Sequence, residues 1–154
     1  MLAPGELVPG REPPAPIELV ELGRGDGALL ADTWLRIGAP HEWSFRTGWS
    51  PDEWEAKLAR PDERAWLARV DGDTAGLLEL EFQPDGAVGI VVFGLVPAFV
   101  GCGYGGAFLT LATELAWNLG AQRVWLQTSS RDHPHALPNY ERRGFRIFCA
   151  FESA

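Results

Sequence analysis

The chain has 154 residues, enough for one domain with a sizeable core, and 46% of them are hydrophobic. A formal net charge of -8 argues against a nucleic-acid binder, which needs a basic surface. No apolar run is long enough to span a membrane, so the expectation is a soluble cytoplasmic protein. Cys102 and Cys149 form no disulfide framework, and neither they nor His41, His133 and His135 have metal-ligand spacing.

Residues 1–16 hold five of the twelve prolines and are read as a leader, loose or strapped onto the surface, ahead of a single domain over 17–154. Ile17 to Leu22 is a short strand. Asp26 is placed to cap a helix with the apolar face Leu30, Trp34 and Ile37, ended by Gly38. Ser50-Pro51-Asp52-Glu53 is a capping box that starts a second helix carrying Trp54 and Leu58. Trp66, Ala68 and Val70 begin a three-strand meander, turned at Asp71-Gly72. Its second strand has Leu78, Leu80 and Phe82 on one face, Glu79 and Glu81 on the other, and Pro84-Asp85-Gly86 turns the chain again.

Val88 to Val96 is almost continuously apolar, the pattern of a strand covered on both faces. Gly94 within it marks a bulge or a close ligand approach. A helix from Tyr104 to Leu119 follows, with Phe108, Ala112, Leu115 and Leu119 on its apolar face. Then come a strand from Val124 to Thr128, a short helix from Ala136 to Arg143 stopped by Gly144, and a last strand from Phe145 to Phe151. The order specifies one mixed α/β domain.

Between the buried strand and the long helix lies Val100-Gly101-Cys102-Gly103-Tyr104-Gly105-Gly106. Glycines there permit positive φ and let a ligand reach main-chain amides, which at a helix N-terminus form a cradle for a diphosphate. A P-loop would need Gly-Lys-Ser/Thr, which is missing. Gly101, Gly103 and Gly106 satisfy the dinucleotide spacing literally, but the next strand ends at Gln127-Thr128-Ser129 rather than in an acid. Taken alone, the loop also reads as a plain structural turn.

Leu95-Val96-Pro97 with the loop that follows resembles the acetyl-CoA-binding motif of GNAT N-acetyltransferases, and Ala136 to Phe145, with Tyr140 before Gly144-Phe145, resembles that family's second signature. The two cover about residues 88–145, with one helix and one strand between them. The resemblance implies a central mixed, mostly antiparallel sheet flanked by helices on both faces. It implies acetyl-CoA as cosubstrate, its arm along Leu95 and Val96 and its diphosphate on the amides of Gly101, Cys102, Gly103, Tyr104, Gly105 and Gly106. The acceptor is then a primary amine of a small molecule or peptide. The alternative is a non-catalytic acyl-CoA-binding module.

Within that resemblance Tyr140 matches the general acid, a phenol with a pKa of about 10 suited to protonate a departing thiolate, or else anchors its helix. His133 falls where a contact to the CoA arm is common, or simply starts the helix. Val100 replaces the usual Gln or Arg, so a charge-assisted contact to the diphosphate is missing. No glutamate near Gly89 supplies a base. Glu79 and Glu81 are the candidates acting through water, against the reading of a solvated strand face. Trp43, Phe45 and Trp49, with Glu42 to attract a cation, are read either as an acceptor wall or as core. Cys102 is either an activated thiol or a small loop filler. An edge beyond the last strand suggests a homodimer.

Overall fold

The computed structural model of the chain describes residues 1–41, 43–127 and 133–146. The elements are β1 (Glu18–Glu21), α1 (Gly27–Gly38), α2 (Pro51–Leu58), β2 (Glu63–Val70), β3 (Asp73–Phe82), β4 (Ala87–Leu95), α3 (Gly105–Asn118), β5 (Arg123–Leu126) and α4 (Ala136–Arg142). Their order follows the sequence expectation. The expected last strand lies largely outside the described residues, as does Thr128.

The strands form one sheet in the order β1-β2-β3-β4-β5, antiparallel except for the parallel β4–β5 pair. Alternation along β2 and β3 sends side chains to two separate cores. Ala65, Leu67 and Leu77 pack with Leu30, Trp34, Ile37 and Trp54 of α1 and α2. Trp66, Ala68, Leu78 and Leu80 pack with Phe108, Leu109, Ala112 and Ala116 of α3. Helices therefore cover both faces, which is why the central strands read as continuous apolar runs. Fully burying Phe108 contributes roughly 2–3 kcal/mol.

The register of β3 against β4 shifts between Glu79↔Val92 and Leu80↔Ile90, leaving Val91 as an extra residue. This bulge resets the alternation: Ile90 faces α3, yet Val92, two residues on, faces α1 and α2. Among the described residues, the parallel pairing of β4 with β5 runs from Ala87↔Arg123 to Ile90↔Leu126. The bulge is thus at Val91, not at Gly94. A Cβ at Gly94 would meet Cγ2 of Ile37 at 2.5 Å.

Several local expectations change. The Asp26 side chain accepts from the Gly23 amide, at 2.9 Å. The first amide of α1, that of Gly27, is served instead by Glu55 of α2 at 2.7 Å, and Glu55 also accepts from Gly25, ahead of the helix, at 3.0 Å. Gly38 does not stop α1 by a positive φ; it makes room for Trp43, whose Cβ a Gly38 side chain would meet at 2.7 Å. Ser50 and Glu53 do form the reciprocal capping box. Leu119 is 37% exposed, so the buried stripe of α3 ends at Ala116.

The leader is strapped down. Met1 is buried in the α3-side core, and its carbonyl accepts from Val124 at 3.0 Å. Val8 donates to the Arg143 carbonyl at 2.9 Å, and Gly10 to Thr110 Oγ1 at 2.9 Å.

Candidate functional site

Beside the end of β4 lies a cleft of about 780 Å³, in the range of small-molecule sites. Phe93, Gly94 and Leu95 form its floor, the glycine loop and the first turn of α3 one end, and the start of α4 a wall. Local sequence explains the loop. Gly101 and Gly103 have φ of +74° and +91°, conformations that favour glycine. They let the chain turn into α3 with Gly105, Gly106 and Ala107 as its first residues, whose amides have no partner inside the helix. Asn139 of α4 ties the two signatures together by donating to the Gly105 carbonyl at 3.1 Å.

Of the expected cofactor residues, Leu95, Val100, Gly101, Gly103, Gly105, Gly106 and His133 line this cleft. Three do not. Val96 is fully buried under α1 and its amide donates to Ala75 at 2.8 Å. Tyr104 is 8% exposed and packs on Phe99. Cys102 is exposed, its Sγ 3.6 Å from the carbonyls of Ala98 and Val100, and fills the loop rather than the cleft. Only the main chain of the last two can contribute to a cradle.

Tyr140 lines the cleft while being 5% exposed, its ring 6.2 Å from Phe93, which in turn stacks at 4.5 Å on Phe108. It thus has a wall position and a packed one at once. His133 Nδ1 accepts from the His135 amide at 3.1 Å. In the neutral ring the proton therefore lies on Nε2, which makes that atom a donor. Burial, then the neighbouring His135 and His41, holds the His133 pKa below the ordinary imidazole value and favours this neutral form. His41, arriving from the segment after α1, lies 5.9 Å from His133 between ring centres and lines the same cleft.

The two candidate bases are elsewhere. Glu79 is 1% exposed and is not on a solvated face: Arg46 grips it through two bonds of 2.6 Å and Lys57 approaches to 3.4 Å. Glu81 pairs in register with Gly89, ahead of the bulge at Val91, and does not line the cleft. Of the aromatic segment, Trp43 reaches the cleft. Trp49 instead packs on Trp54 and, with Phe45, around the Arg46 guanidinium. Glu42 lies outside the described residues.

Sequence reasoning assigned no role to three arginines. Arg11, Arg142 and Arg143 line the cleft, and no carboxylate among the described residues does. In a chain of net charge -8 this is a pronounced local reversal. Arg142 and Arg143 lie inside the second signature; nothing in the sequence signals Arg11. Among the described residues no group of His, Cys, Asp and Glu is arranged to hold a metal, and no helix is long and apolar enough to cross a membrane.

No curated protein matches the sequence. Solved structures share its fold. An aminoglycoside acetyltransferase from an uncultured soil metagenomic sample, in complex with trehalose, aligns with a TM-score of 0.70 at 14% identity, over 90% of this chain and 96% of that one. PaiA N-acetyltransferase from Thermoplasma acidophilum, in complex with coenzyme A, gives 0.69 at 17% identity, over 86% and 91%. Ribosomal-protein-alanine N-acetyltransferase from Brucella melitensis biovar Abortus 2308 gives 0.69 at 16% identity, over 90% and 99%. The model of the Acetyltransferase (GNAT) family matches residues 30–145, from within α1 to just past α4, with β4 and the glycine loop between them; the chain belongs to that family of acetyltransferases.

Proposed function

We propose that the protein transfers the acetyl group of acetyl-CoA to a primary amine of a small molecule or peptide, by direct attack in a ternary complex. The observation that carries this is the cleft itself: the end of β4, the glycine loop and Tyr140 line one cavity. Acetyl-CoA, when bound, supplies an activated thioester. Gly101 to Gly106 offer amides to its diphosphate. Leu95, at the end of β4 and lining the cleft, offers main-chain groups to the arm, and an amide here stabilises charge developing on the thioester oxygen. His133 Nε2 donates to the arm, the task an amide side chain would otherwise perform.

Much of the acceleration then comes from alignment of amine and thioester. Tyr140 gives its phenolic proton to the departing sulfur. The base is not Glu79, whose carboxylate is held by Arg46 and Lys57. His41 takes this role, because it lines the cleft beside Trp43 and a neutral imidazole carries one acceptor nitrogen.

Calorimetric titration with acetyl-CoA, with NADH as the comparison, tests the reading. Micromolar affinity for acetyl-CoA alone is expected, and release of free thiol with an amine should follow. Absence of acetyl-CoA binding ends the proposal. A non-catalytic acyl-CoA-binding module is the second reading, motivated by the engagement of Glu79 in an ion pair; turnover with any amine excludes it.

A further inference from the structure

Three contacts bring the leader, α3 and α4 to one point. A Cβ on Gly10 would meet the Gly106 carbonyl carbon at 2.5 Å and Nη1 of Arg143 at 2.8 Å. A Cβ on Gly106 would collide with that same Nη1. Further along, Pro14 lies 3.5 Å from where a Gly103 side chain would begin. Residues 8–14 therefore run along the glycine loop, pinned at Val8 by the Arg143 carbonyl and at Gly10 by Thr110. Two glycines, one from each segment, leave just enough space for the Arg143 guanidinium over the first turn of α3.

That guanidinium is poorly served. Its Nη1 donates to Asn139 Oδ1 at 3.4 Å, a long bond, and its Nε is buried with no partner. No carboxylate among the described residues pairs with it, and burial, followed by the charge of Arg142, lowers its pKa. A partly buried cation without a counterion is costly, and it is best explained by an anion that joins it. Arg11 follows Gly10 directly and lines the same cleft. The loop's own position for a charged contact is occupied by Val100.

We infer that Arg143 of α4 and Arg11 of the leader form a two-sided clamp for the cofactor's diphosphate, supplying from outside the loop the charge that Val100 lacks. The leader is thereby part of the binding site. Arginine suits the task, because its planar fork engages phosphate oxygens in pairs. The assignment rests on the acetyl-CoA reading above, and the experiment separates the two.

The test is titration of the full chain with CoA and with dephospho-CoA, which keeps the diphosphate but lacks the 3′-phosphate. Arg143→Ala should weaken both ligands by about tenfold to a hundredfold, the usual loss for a hydrogen bond to a charged group. Arg11→Ala, an exposed side chain, should weaken both by several-fold and is informative even if Arg143→Ala folds poorly. Adding Val100→Arg to Arg11→Ala should restore affinity, since the charge then comes from the loop. Unchanged affinity in both alanine variants overturns the clamp. So does a loss for CoA that is absent for dephospho-CoA, which would put the arginines on the 3′-phosphate. Failure of the wild-type protein to bind either ligand would instead overturn the acetyl-CoA reading.

Discussion

Arg46 lays both ends of its guanidinium on Glu79, Nη1 to Oε2 and Nη2 to Oε1, each at 2.6 Å. The pair lies beneath Phe45, Trp49 and Trp54, with side-chain exposures of 6% and 2%. It fastens the segment after α1 to β3, and that segment also carries Trp43 into the cleft. A bidentate pair of this kind fixes one arrangement of the aromatic cover, because any other leaves a charge buried alone.

Removing one partner should therefore be severe. Arg46→Ala is expected to destabilise the fold by about 3–5 kcal/mol, leaving Glu79 with Lys57 alone. Urea denaturation of the variant and wild type measures this. A loss under about 1 kcal/mol would mean that the pair is solvated in solution.

Lys57 also meets Glu63, at 2.7 Å, and Arg60 adds a second contact at 3.2 Å. Burial opposes ionisation of Glu63, but these cations outweigh it, and its carboxyl titrates below the ordinary glutamate value of 4.5. A depressed carboxylate contributes stability that is complete above the unfolded-state value and disappears as pH falls through the folded one. Thermal melts should thus show Tm declining below about pH 4.5, with a shallower decline in Glu63→Gln. Parallel curves for the two proteins would remove the assignment.

Glycine positions near the cleft should separate by mechanism. In Gly94→Ala the new methyl meets Ile37, whose removal from its place would move α1 against β4. The expected cost is about 1–3 kcal/mol, with weakened acetyl-CoA binding. At Gly101 nothing lies within 4 Å of a new Cβ, but φ is +74°. Gly101→Ala should lose roughly 1 kcal/mol through backbone strain alone. Chemical denaturation alongside calorimetric titration reports both; equal costs would show that packing at Gly94 relaxes easily.

Tyr140→Phe keeps the ring that packs near Phe93 and removes the hydroxyl. Turnover should fall by about a hundredfold or more, with acetyl-CoA affinity little changed. Initial-rate kinetics with a responding amine, beside a binding titration, would check it. Full activity in the variant would limit Tyr140 to packing.

Some of this was legible in the chain. The capping box at Ser50, the double-faced apolar run of β4 and the paired signatures around Gly101 and Tyr140 are local patterns, carried by neighbouring residues. They were enough for the element order, the sheet class and one end of the cleft. The Asp26 cap failed because a better acceptor, Glu55, arrives from another helix. The bulge at Val91 had no signature, since an extra valine among valines leaves no trace in composition.

Sequence by itself determined which segments become strands and helices and where a glycine loop precedes α3, because backbone propensity and hydrophobic period act over a few residues. Tertiary structure decided which charges meet. It turned Glu79 from a candidate base into a buried partner of Arg46, and it brought Arg11 and Arg143, from opposite ends of the chain, to a single cleft. Such meetings depend on how the two cores pack and where the leader crosses the glycine loop, and no local pattern records that.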